Sequence, residues 1–298
     1  MTAAPGPPHP SPQAALLACH ASVLLFGIAG LFAKWIPWEP AAIVLGRTTI
    51  AAAALALFVR YRSGAWRRPH RVSLANGAIL AVHWVAFFEA IQVSTVAIGL
   101  LGYASFPLFV PILERTMLGL RMTRNKLAGA ALVAFGIALL VPELTWHSRT
   151  LQGLAWGVLS GFTFALLTVR TRKYAPDQRS SELALGQNAI AALCVLPVVI
   201  VQGGPGGPLN AAVAGQLLAL GVVCTAVAHT LFAASLVHVP ASVASVCAAL
   251  EPVYGIALAA VLLGEVPDAR TLAGAGIVVA AAIVASRRAS LGPREDPA

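Results

Sequence analysis

The segment Leu250–Val284 has the sequence LEPVYGIALAAVLLGEVPDARTLAGAGIVVAAAIV. Two continuously apolar runs in it are separated by the polar turn Gly264–Arg270. A helix of about 20 apolar residues crosses the roughly 30 Å hydrocarbon core of a bilayer. The segment therefore predicts two membrane helices joined by a short loop, with Glu251 and Pro252 inside the first of them.

The rest of the chain has the same apolar character. Of its 298 residues, 58% are hydrophobic and 10% are charged, and the mean hydropathy is +0.82. Soluble globular proteins carry about 25% charged residues, so this composition excludes a sizeable soluble domain. A membrane β-barrel is excluded too, because its strands are shorter and alternate in polarity. The four cysteines all fall in apolar runs and indicate no disulfide framework.

Outward from this segment, apolar runs of spanning length recur along the whole chain. We predict ten membrane helices, at residues 14–33, 40–59, 74–92, 95–113, 126–141, 151–169, 182–201, 212–236, 241–263 and 271–285. Basic and glycine–proline segments unsuited to lipid separate them, such as Arg60–Arg71 and Gly203–Pro208. The fold class is an all-α polytopic membrane protein, with a disordered tail at residues 1–13 and a second tail at 289–298.

The Lys and Arg residues indicate the orientation of these helices. With the N-terminus in the cytoplasm, 16 of the 20 basic residues fall in the cytoplasmic loops and the C-terminal tail. Basic residues are retained on the cytoplasmic side of membranes, so both termini are predicted to be cytoplasmic. The net charge of +9 is therefore an orientation signal, and the expected partners are a lipid bilayer and a small-molecule substrate, without nucleic acid. The oligomeric state is not predicted.

Short correspondences relate the two halves of the chain. LGRTTIAAA from Leu45 aligns with LGQNAIAAL from Leu185 at an offset of 140, and LAGA recurs at Leu127 and Leu272 at an offset of 145. The second offset, kept without a gap, places Pro107 on Pro252.

An internal repeat of five helices follows from these correspondences. Because five is an odd number, the second repeat is predicted to be inverted in the membrane relative to the first. We assign residues 14–142 and 151–288 to the two repeats, and residues 143–150 to a periplasmic connection between them.

With these features the chain resembles the drug/metabolite transporter superfamily, specifically its EamA-type members with ten helices. The residues that carry the resemblance are PLFVPILERTMLGLRMTRNKLAGAALVAFGIALL (Pro107–Leu140) and the segment Leu250–Val284. The latter looks like the proline-containing ninth helix, LGE turn and glycine-bearing tenth helix of the family, whereas the former has LGL in place of LGE. The resemblance implies a carrier of small metabolites or drugs that works by alternating access, often as an exporter, with amino acids a common substrate class. No cofactor or metal is expected.

Two prolines mark candidate breaks in the predicted fourth and ninth helices. Pro107 and Pro252 each remove one backbone hydrogen bond, which frees the carbonyl of Tyr103 or Ala248. Paired broken helices are a sequence pointer to a binding site at mid-membrane in carriers. The two prolines are therefore candidates for a gating role, and packing kinks are the alternative.

Glu251, beside Pro252, is the acidic residue predicted to lie deepest in the membrane. An ionised carboxylate there costs about 2.5 to 3.5 kcal/mol on insertion scales, so this side chain is expected to face protein or water. It is a candidate partner for a substrate amine and a candidate proton-coupling site, and a hydrogen-bonded structural glutamate is the alternative. Proton coupling and facilitated diffusion both remain open.

An amphipathic wall is predicted from helices three and four. His83, Trp84 and Phe87 lie in the middle of helix three, and Tyr103 lies one turn before Pro107. Together they would suit a zwitterion with an apolar side chain, although a histidine in a helix bundle is as often an interhelical hydrogen-bonding residue. Two further candidate substrate contacts lie elsewhere in the membrane: His20 and His229.

Arg47 and Gln187 occupy equivalent positions in the two repeats, roughly 7 to 10 Å into their helices at 1.5 Å per residue. We expect Arg47 to extend outward to Glu39 and to have a structural or gating role. Contact with a substrate carboxylate is the alternative for this pair.

Other functional classes fit the sequence less well. A multidrug or cation efflux carrier is the alternative within the transporter class. For an intramembrane enzyme, the nearest string to a Gly-x-Ser-Gly protease motif is Gly157–Gly161, which is one residue too long, and a His-Glu-x-x-His zinc motif is missing from the sequence. We therefore do not expect an enzyme. Arg outnumbers Lys 17 to 3, which suggests a GC-rich genome and the cytoplasmic membrane of a bacterium.

Overall fold

The computed structural model describes residues 12–63, 71–139, 147–174, 179–235, 247–248 and 250–286, and all regular elements in these ranges are helical. The helices are α1 (Pro12–Trp35), α2 (Pro40–Ser63), α3 (Arg71–Val93), α4 (Val96–Tyr103), α5 (Phe106–Leu118), α6 (Arg124–Leu139), α7 (Arg149–Tyr174), α8 (Ser180–Val201), α9 (Ala211–Leu218), a π-helical segment (Ala219–Val227), α10 (Ala228–Ser235), α11 (Glu251–Leu263) and α12 (Ala269–Ser286).

Membrane-spanning length and composition are widespread among these helices. Seven described stretches are long and apolar enough to cross a bilayer, and three shorter apolar helices cover Lys126–Leu139, Glu251–Leu263 and Ala269–Ala281. The predicted all-α polytopic fold is thus confirmed. The count of ten helices and the cytoplasmic side of both termini stay predictions. Of the predicted tails and connection, residues 1–11, 143–146 and 289–298 lie outside the described residues, and α1 already begins at Pro12.

Two predicted helices are not continuous α-helices. The fourth is divided into α4 and α5 by a turn at Ala104 and Ser105, and Pro107 lies in the first turn of α5. Proline is tolerated there because its missing N–H would have no partner within the helix. The eighth contains the π-helical segment in its middle, which hydropathy did not predict because apolar content is the same in α- and π-helices.

The predicted ninth helix differs in a similar way. Its residues 241–246 lie outside the described residues, and α11 begins only at Glu251, after a turn at Leu250. Glu251 was expected in the interior of a continuous helix, whereas it is the first residue of α11, with Pro252 second. The turn therefore places the carboxylate at a helix N-terminus, which favours negative charge.

The ends of the two halves have the same local structure. Helices α5 and α11 each have 13 residues and end at a glycine in the left-handed conformation, Gly119 with φ 71° and Gly264 with φ 69°. Thr123 accepts a hydrogen bond from the N–H of Lys126 at the start of α6, and Asp268 accepts one from the N–H of Thr271 at the start of α12. These pairs are separated by the offset of 145 that the sequence indicated. The bond from Thr271 also holds the pKa of the Asp268 carboxyl below its ordinary value.

Helix packing has a corresponding pattern. The contact of α3 with α7 has its counterpart in that of α1 with α10, and the contact of α5 with α7 in that of α11 with α1. Helices α2 and α8 pack on each other, as do α6 and α12. Exchanging the two halves leaves these four pairs of contacting helices unchanged, as a two-fold relation between repeats predicts.

One close contact shows this relation in atomic detail. Gly77 of α3 lies against Ile190 and the carbonyl of Gln187, while Gly221 of the π-helical segment lies against Ile50 and the carbonyl of Arg47. A side chain at either glycine would collide with the facing helix, so small residues are needed at both crossings. The contact supports the equivalence of Arg47 and Gln187 in the two halves.

Candidate functional site

Charged and aromatic side chains from both halves of the chain meet in the interior of the bundle. The cluster is buried because α1, α2, α3, α4, α7 and α10 surround it. We call it the central cluster, and its members are Phe26, Arg47, His83, Trp84, Phe87, Phe88, Tyr103, Phe106, Phe164, Thr225, His229, Phe232 and Glu251.

Arg47 is the most deeply buried charge of the cluster, with 0% of its surface exposed. Its guanidinium lies 3.4 Å from the centre of the Trp84 ring, and its Nε and Nη2 donate to the Thr225 hydroxyl at 3.1 and 2.8 Å. Arginine stacks well on aromatic faces because its guanidinium is planar and weakly hydrated. The expected extension to Glu39 is therefore not observed, because Trp84 and Thr225 hold the guanidinium inside the bundle.

Two donors in this region have no hydrogen-bond partner among the described residues. They are Nη1 of Arg47 and Nε1 of Trp84, and both atoms are buried. A buried donor without a partner costs about 1 to 3 kcal/mol, and more when it is charged. Such groups are therefore kept where a ligand, an ion or ordered water completes them.

Glu251 lies in the same region but on the other half of the chain. Only 6% of its surface is exposed, so it does not face lipid. Its carboxylate is within electrostatic range of Arg47 and of the Tyr103 hydroxyl, yet none of the ion pairs under 4.0 Å within the described ranges joins it to Arg47. Within the described ranges, the guanidinium of Arg47 and the carboxyl of Glu251 therefore form no direct ion pair.

His83 links α3 to α7 in the central cluster. Its Nδ1 lies 3.0 Å from both the carbonyl oxygen and the hydroxyl of Ser160 in α7. Its ring packs on Trp84, Tyr103 and Phe164 with centroid distances of 4.7, 5.7 and 5.4 Å. The interhelical alternative for His83 therefore describes its observed contacts, while a role in substrate binding stays a prediction.

The aromatic wall expected on helices three and four is assembled in the structure. Phe87 packs edge-on against Trp84 at 5.7 Å and against Tyr103 at 5.7 Å. His229 of α10 joins it from the second half, 6.2 Å from the Trp84 ring and 5.1 Å from Phe26. The structure therefore brings these side chains together as one apolar surface beside the two charges.

Two candidates lie away from the central cluster. His20 in α1 contacts Tyr254, with Nδ1 3.3 Å from the hydroxyl, and Cys247, with Nε2 3.6 Å from the sulfur. It links α1 to the start of α11. Gln187 is half-buried in α8, where its carbonyl meets Gly77.

Sequence reasoning missed several members of the site. Thr225, which holds Arg47, and Ser160, which holds His83, were not singled out as contacts, and neither were Phe88 and Phe164. Polar residues in membrane helices face protein or cavities, so the positions of Thr225 and Ser160 within apolar runs were a usable signal. Aromatic residues give no such signal, because they are equally stable in lipid. In the part of the chain that the structure describes, no three His, Cys, Asp or Glu side chains are grouped as metal ligands.

Ionic contacts tie the helices together at the two ends of the bundle. At one end, Glu265 accepts a hydrogen bond from the N–H of Val96 at 2.8 Å and lies 3.8 Å from Lys34 Nζ. At the other end, Glu114 lies 3.2 Å from Lys126 Nζ and 3.0 Å from Arg172 Nη1. The central cluster lies between these two ends of the bundle.

Comparison with known proteins places this architecture in a family. The sequence profile of the EamA-like transporter family matches residues 13–141 and again residues 151–287. The chain belongs to the EamA-like transporter family. It is thus a multi-pass membrane transporter of the drug/metabolite superfamily, which the sequence resemblance had indicated.

Relatives within the EamA-like family cover most of the chain. It is 27% identical over 255 residues to the pseudopaline exporter CntI of Pseudomonas aeruginosa, covering 83% of this chain and 87% of the relative. It is 23% identical over 266 residues to an uncharacterised transporter of Archaeoglobus fulgidus, covering 89% and 94%. One solved crystal structure superposes with a TM-score of 0.67 over 92% of this chain and 96% of that one, at 18% identity. This last similarity shows the shared fold.

Proposed function

We propose that this EamA-family transporter exports small amphipathic metabolites, amino acids among them, by alternating access. The observation that carries the proposal is the central cluster, in which Arg47 and Glu251 are buried without pairing with each other beside an aromatic wall. A charge buried in a membrane helix marks a substrate or ion pathway. Two opposite charges and an apolar surface suit a ligand that has both polar and apolar parts.

The arrangement of the two halves supports alternating access. Each half contributes one of the two charges, with Arg47 on α2 and Glu251 on α11, so a movement of the halves would change the site itself. In carriers with repeats, one repeat rocks against the other around a site at mid-membrane. We propose residues 14–142 and 151–288 as these two units. We propose Pro107 and Pro252 as the hinge positions in their helices.

Export and location rest on the family relationships. A relative at 27% identity is named as a pseudopaline exporter, so we propose the same direction for this chain and the cytoplasmic membrane of a bacterium as its location. The alternative within the transporter class is a cation or multidrug efflux carrier. The aromatic rings of the central cluster favour that alternative, because such rings also bind organic cations.

Efflux from loaded vesicles tests the proposed function. Proteoliposomes containing the purified protein are loaded with single radiolabelled amino acids or with an organic cation, and release is compared with protein-free liposomes. We expect faster release and counterflow for at least one amino acid. Release of the cation alone would support the efflux-pump alternative, and no release of any solute would contradict the proposal.

A further inference from the structure

We propose that Arg47 and Trp84 form a carboxylate-binding subsite, so that the transported metabolite carries a carboxylate at one end and an ammonium group that faces Glu251 at the other. This inference rests on the proposed function and specifies the chemistry of its substrate. Within the described residues it is built on two unpaired buried donors, Nη1 of Arg47 and Nε1 of Trp84.

The hydrogen bonds of Arg47 fix its position without neutralising its charge. Nε and Nη2 both donate to the Thr225 hydroxyl, and that hydroxyl in turn donates to the carbonyl of Leu220 at 2.7 Å. The Thr225 oxygen is therefore fully used as donor and acceptor. Arg47 is held in place, while its positive charge and its outer nitrogen remain available.

Trp84 contributes both to the position of Arg47 and to the donor set. Its ring lies beneath the guanidinium at 3.4 Å, which fixes the plane in which the Arg47 donors point. Its indole N–H can only donate. Two neighbouring side chains thus present donors alone, a combination that a cation such as an ammonium group cannot satisfy because it has no acceptor.

A carboxylate has the complementary chemistry. Its two oxygens offer about four lone-pair positions and no donor, and its negative charge matches Arg47. Charge-assisted bonds between guanidinium and carboxylate are among the stronger hydrogen bonds in proteins. The subsite therefore fits the carboxylate of a substrate better than any uncharged acceptor.

Glu251 provides the second contact. It approaches the same region from α11, within electrostatic range of Arg47 but without an ion pair to it in the described part of the chain. A zwitterion placed between them would pair with both charges at once. Phe87 and Tyr103, which pack beside Trp84 and His83, would contact its apolar side chain.

Three matched probes separate the contributions of the two charges. Phenylalanine carries both charged groups, 3-phenylpropionate carries the carboxylate alone, and phenethylamine carries the ammonium alone. Binding to the purified protein in nanodiscs is measured by calorimetry, with and without chloride. We expect phenylalanine and 3-phenylpropionate to bind the unmodified protein and phenethylamine to bind at least about 30-fold more weakly than phenylalanine.

Variants assign these preferences to residues. Arg47→Gln should weaken both carboxylate probes by about 30-fold or more, whereas Glu251→Gln should weaken phenylalanine and spare 3-phenylpropionate. Trp84→Phe, which keeps a ring under the guanidinium but removes the N–H, should weaken both carboxylates by about fivefold. Thr230→Val is the matched control, because among the described residues the Thr230 hydroxyl donates only to the carbonyl of Ala226 in the adjoining π-helical segment, and it should change none of the three affinities.

Several results would overturn the subsite. Equal binding of phenethylamine and phenylalanine, unchanged carboxylate binding in Arg47→Gln, or no binding of any probe would each do so. Chloride that binds at Arg47 without competing with the carboxylates would also overturn it, in favour of an inorganic ion. If Arg47→Gln does not fold, Arg47→Lys takes its place and should lose binding in part, and an unchanged affinity in that variant contradicts the proposal. Transport of phenethylamine without carboxylate binding would contradict the subsite but leave the proposed transport function standing. Absence of all transport would contradict the proposed function itself.

Discussion

At the scale of single residues, the site contains two membrane charges that are stabilised in different ways. Arg47 is supported by a ring face and a hydroxyl, while Glu251 lies at the start of a helix, where the N-terminal N–H groups favour an anion. Neither depends on the other for a direct bond. In the proposed transport cycle, each would therefore be able to exchange its ligand independently.

Replacing Glu251 by glutamine tests proton coupling. If this carboxylate holds either the substrate ammonium or a proton, but not both at once, proton entry drives substrate out. A proton moving down 100 mV supplies about 2.3 kcal/mol, which sustains roughly a 40-fold gradient at 1.4 kcal/mol per decade. We expect Glu251→Gln to abolish uphill movement and to retain exchange at saturating substrate, measured in proteoliposomes with an imposed pH step.

Glu89→Gln is the matched control for that experiment. Glu89 is a half-buried carboxylate near the end of α3, three residues from Gln92, and we expect its variant to keep uphill movement. Undiminished uphill flux in Glu251→Gln would show that the proton binds elsewhere or that the carrier is uncoupled.

Residue types indicated part of the site from sequence alone. Glu251, Trp84 and Phe87 were identifiable because a carboxylate deep in an apolar run must face protein and because the aromatic residues share a helix with His83. The partner of Arg47 was not, because Thr225 lies 178 positions away and one sequence carries no pairing information at that distance. From the sequence, Arg47 is expected to extend outward to Glu39, because the length of its side chain permits this and its partners inside the bundle are not visible.

At the scale of helices, interrupted elements surround the site. The turn between α4 and α5, the turn before α11 and the π-helical segment all occur beside members of the central cluster, namely Tyr103, Glu251 and Thr225. π-Helical turns occur frequently at functional sites. The regular helices form the scaffold of the bundle. The two turns and the π-helical segment position the polar side chains of the central cluster.

Close packing of α4 on α7 is expected to depend on glycine. A Cβ at Gly157 would lie 2.8 Å from the Cα of Gly102, so Gly157→Ala should lower stability by about 1 to 3 kcal/mol through overpacking. Gly276→Ala in α12 is the control, because no described atom lies within 4 Å of that position and alanine has the better helix propensity. Thermal unfolding in detergent measures both variants, and equal midpoints would contradict the prediction.

Hydropathy predicted the positions of the helices directly, whereas the sequence predicted only some of the interruptions within them. Runs such as residues 40–59 and 182–201 correspond to α2 and α8 because lipid requires continuous apolar helices. Pro107 pointed to a break near α5 because proline lacks an N–H. The π-helical segment has no comparable mark, since a change from i+4 to i+5 bonding alters no residue type.

The ties at the bundle ends are expected to control access to the site. Glu265→Gln removes the charge that holds Val96 and Lys34, and Glu114→Gln removes the one that holds Lys126 and Arg172. A charge-assisted bond contributes about 1.5 to 3 kcal/mol, less where solvent screens it. The measurement is the alkylation rate of the cysteine in a Tyr103→Cys variant. We expect alkylation from the outer side to rise about 3- to 10-fold when Glu265→Gln is added.

The second variant is the internal control for this prediction. Glu114→Gln acts at the opposite end and should raise alkylation from the inner side instead. Identical labelling rates in both variants and the parent would show that these contacts are structural and do not gate the site.

At the scale of the whole molecule, the two halves are related by exchange of their helices. This relation appears in the equal lengths and glycine ends of α5 and α11 and in the matched helix contacts described above. An inverted arrangement in the membrane requires, in addition, that both termini lie on the same side. The distribution of basic residues predicts the cytoplasmic side.

Cysteine labelling tests this orientation. In a background with the four native cysteines replaced by alanine, Ala3→Cys and Ser290→Cys should react with an impermeant maleimide only after the membrane is permeabilised. Leu209→Cys, in the exposed loop between α8 and α9, should react in intact cells. Tails that label on opposite sides of the membrane would contradict the inverted repeat.

Global architecture was the most predictable level. Composition predicted the membrane class, and the ungapped offset from Pro107 to Pro252 matched the structural correspondence of α5 and α11. The orientation predicted from the charge distribution stays a prediction. What the sequence did not contain was the geometry between helices, since the approach of Arg47 to Trp84 depends on how α2 and α3 cross.

In the proposed site, the unequal residues at equivalent positions of the two halves would determine how a solute is oriented. Two identical halves would accept a molecule equally well head-first or tail-first. Here Arg47 corresponds to neutral Gln187 in the second half, and Glu251 corresponds to Phe106 in the first, so the proposed site would select one pose. Because Arg47 lies about 10 Å from the Pro40 end of α2 at 1.5 Å per residue, and that end is the predicted outer one, an exported zwitterion would emerge with its acid group leading.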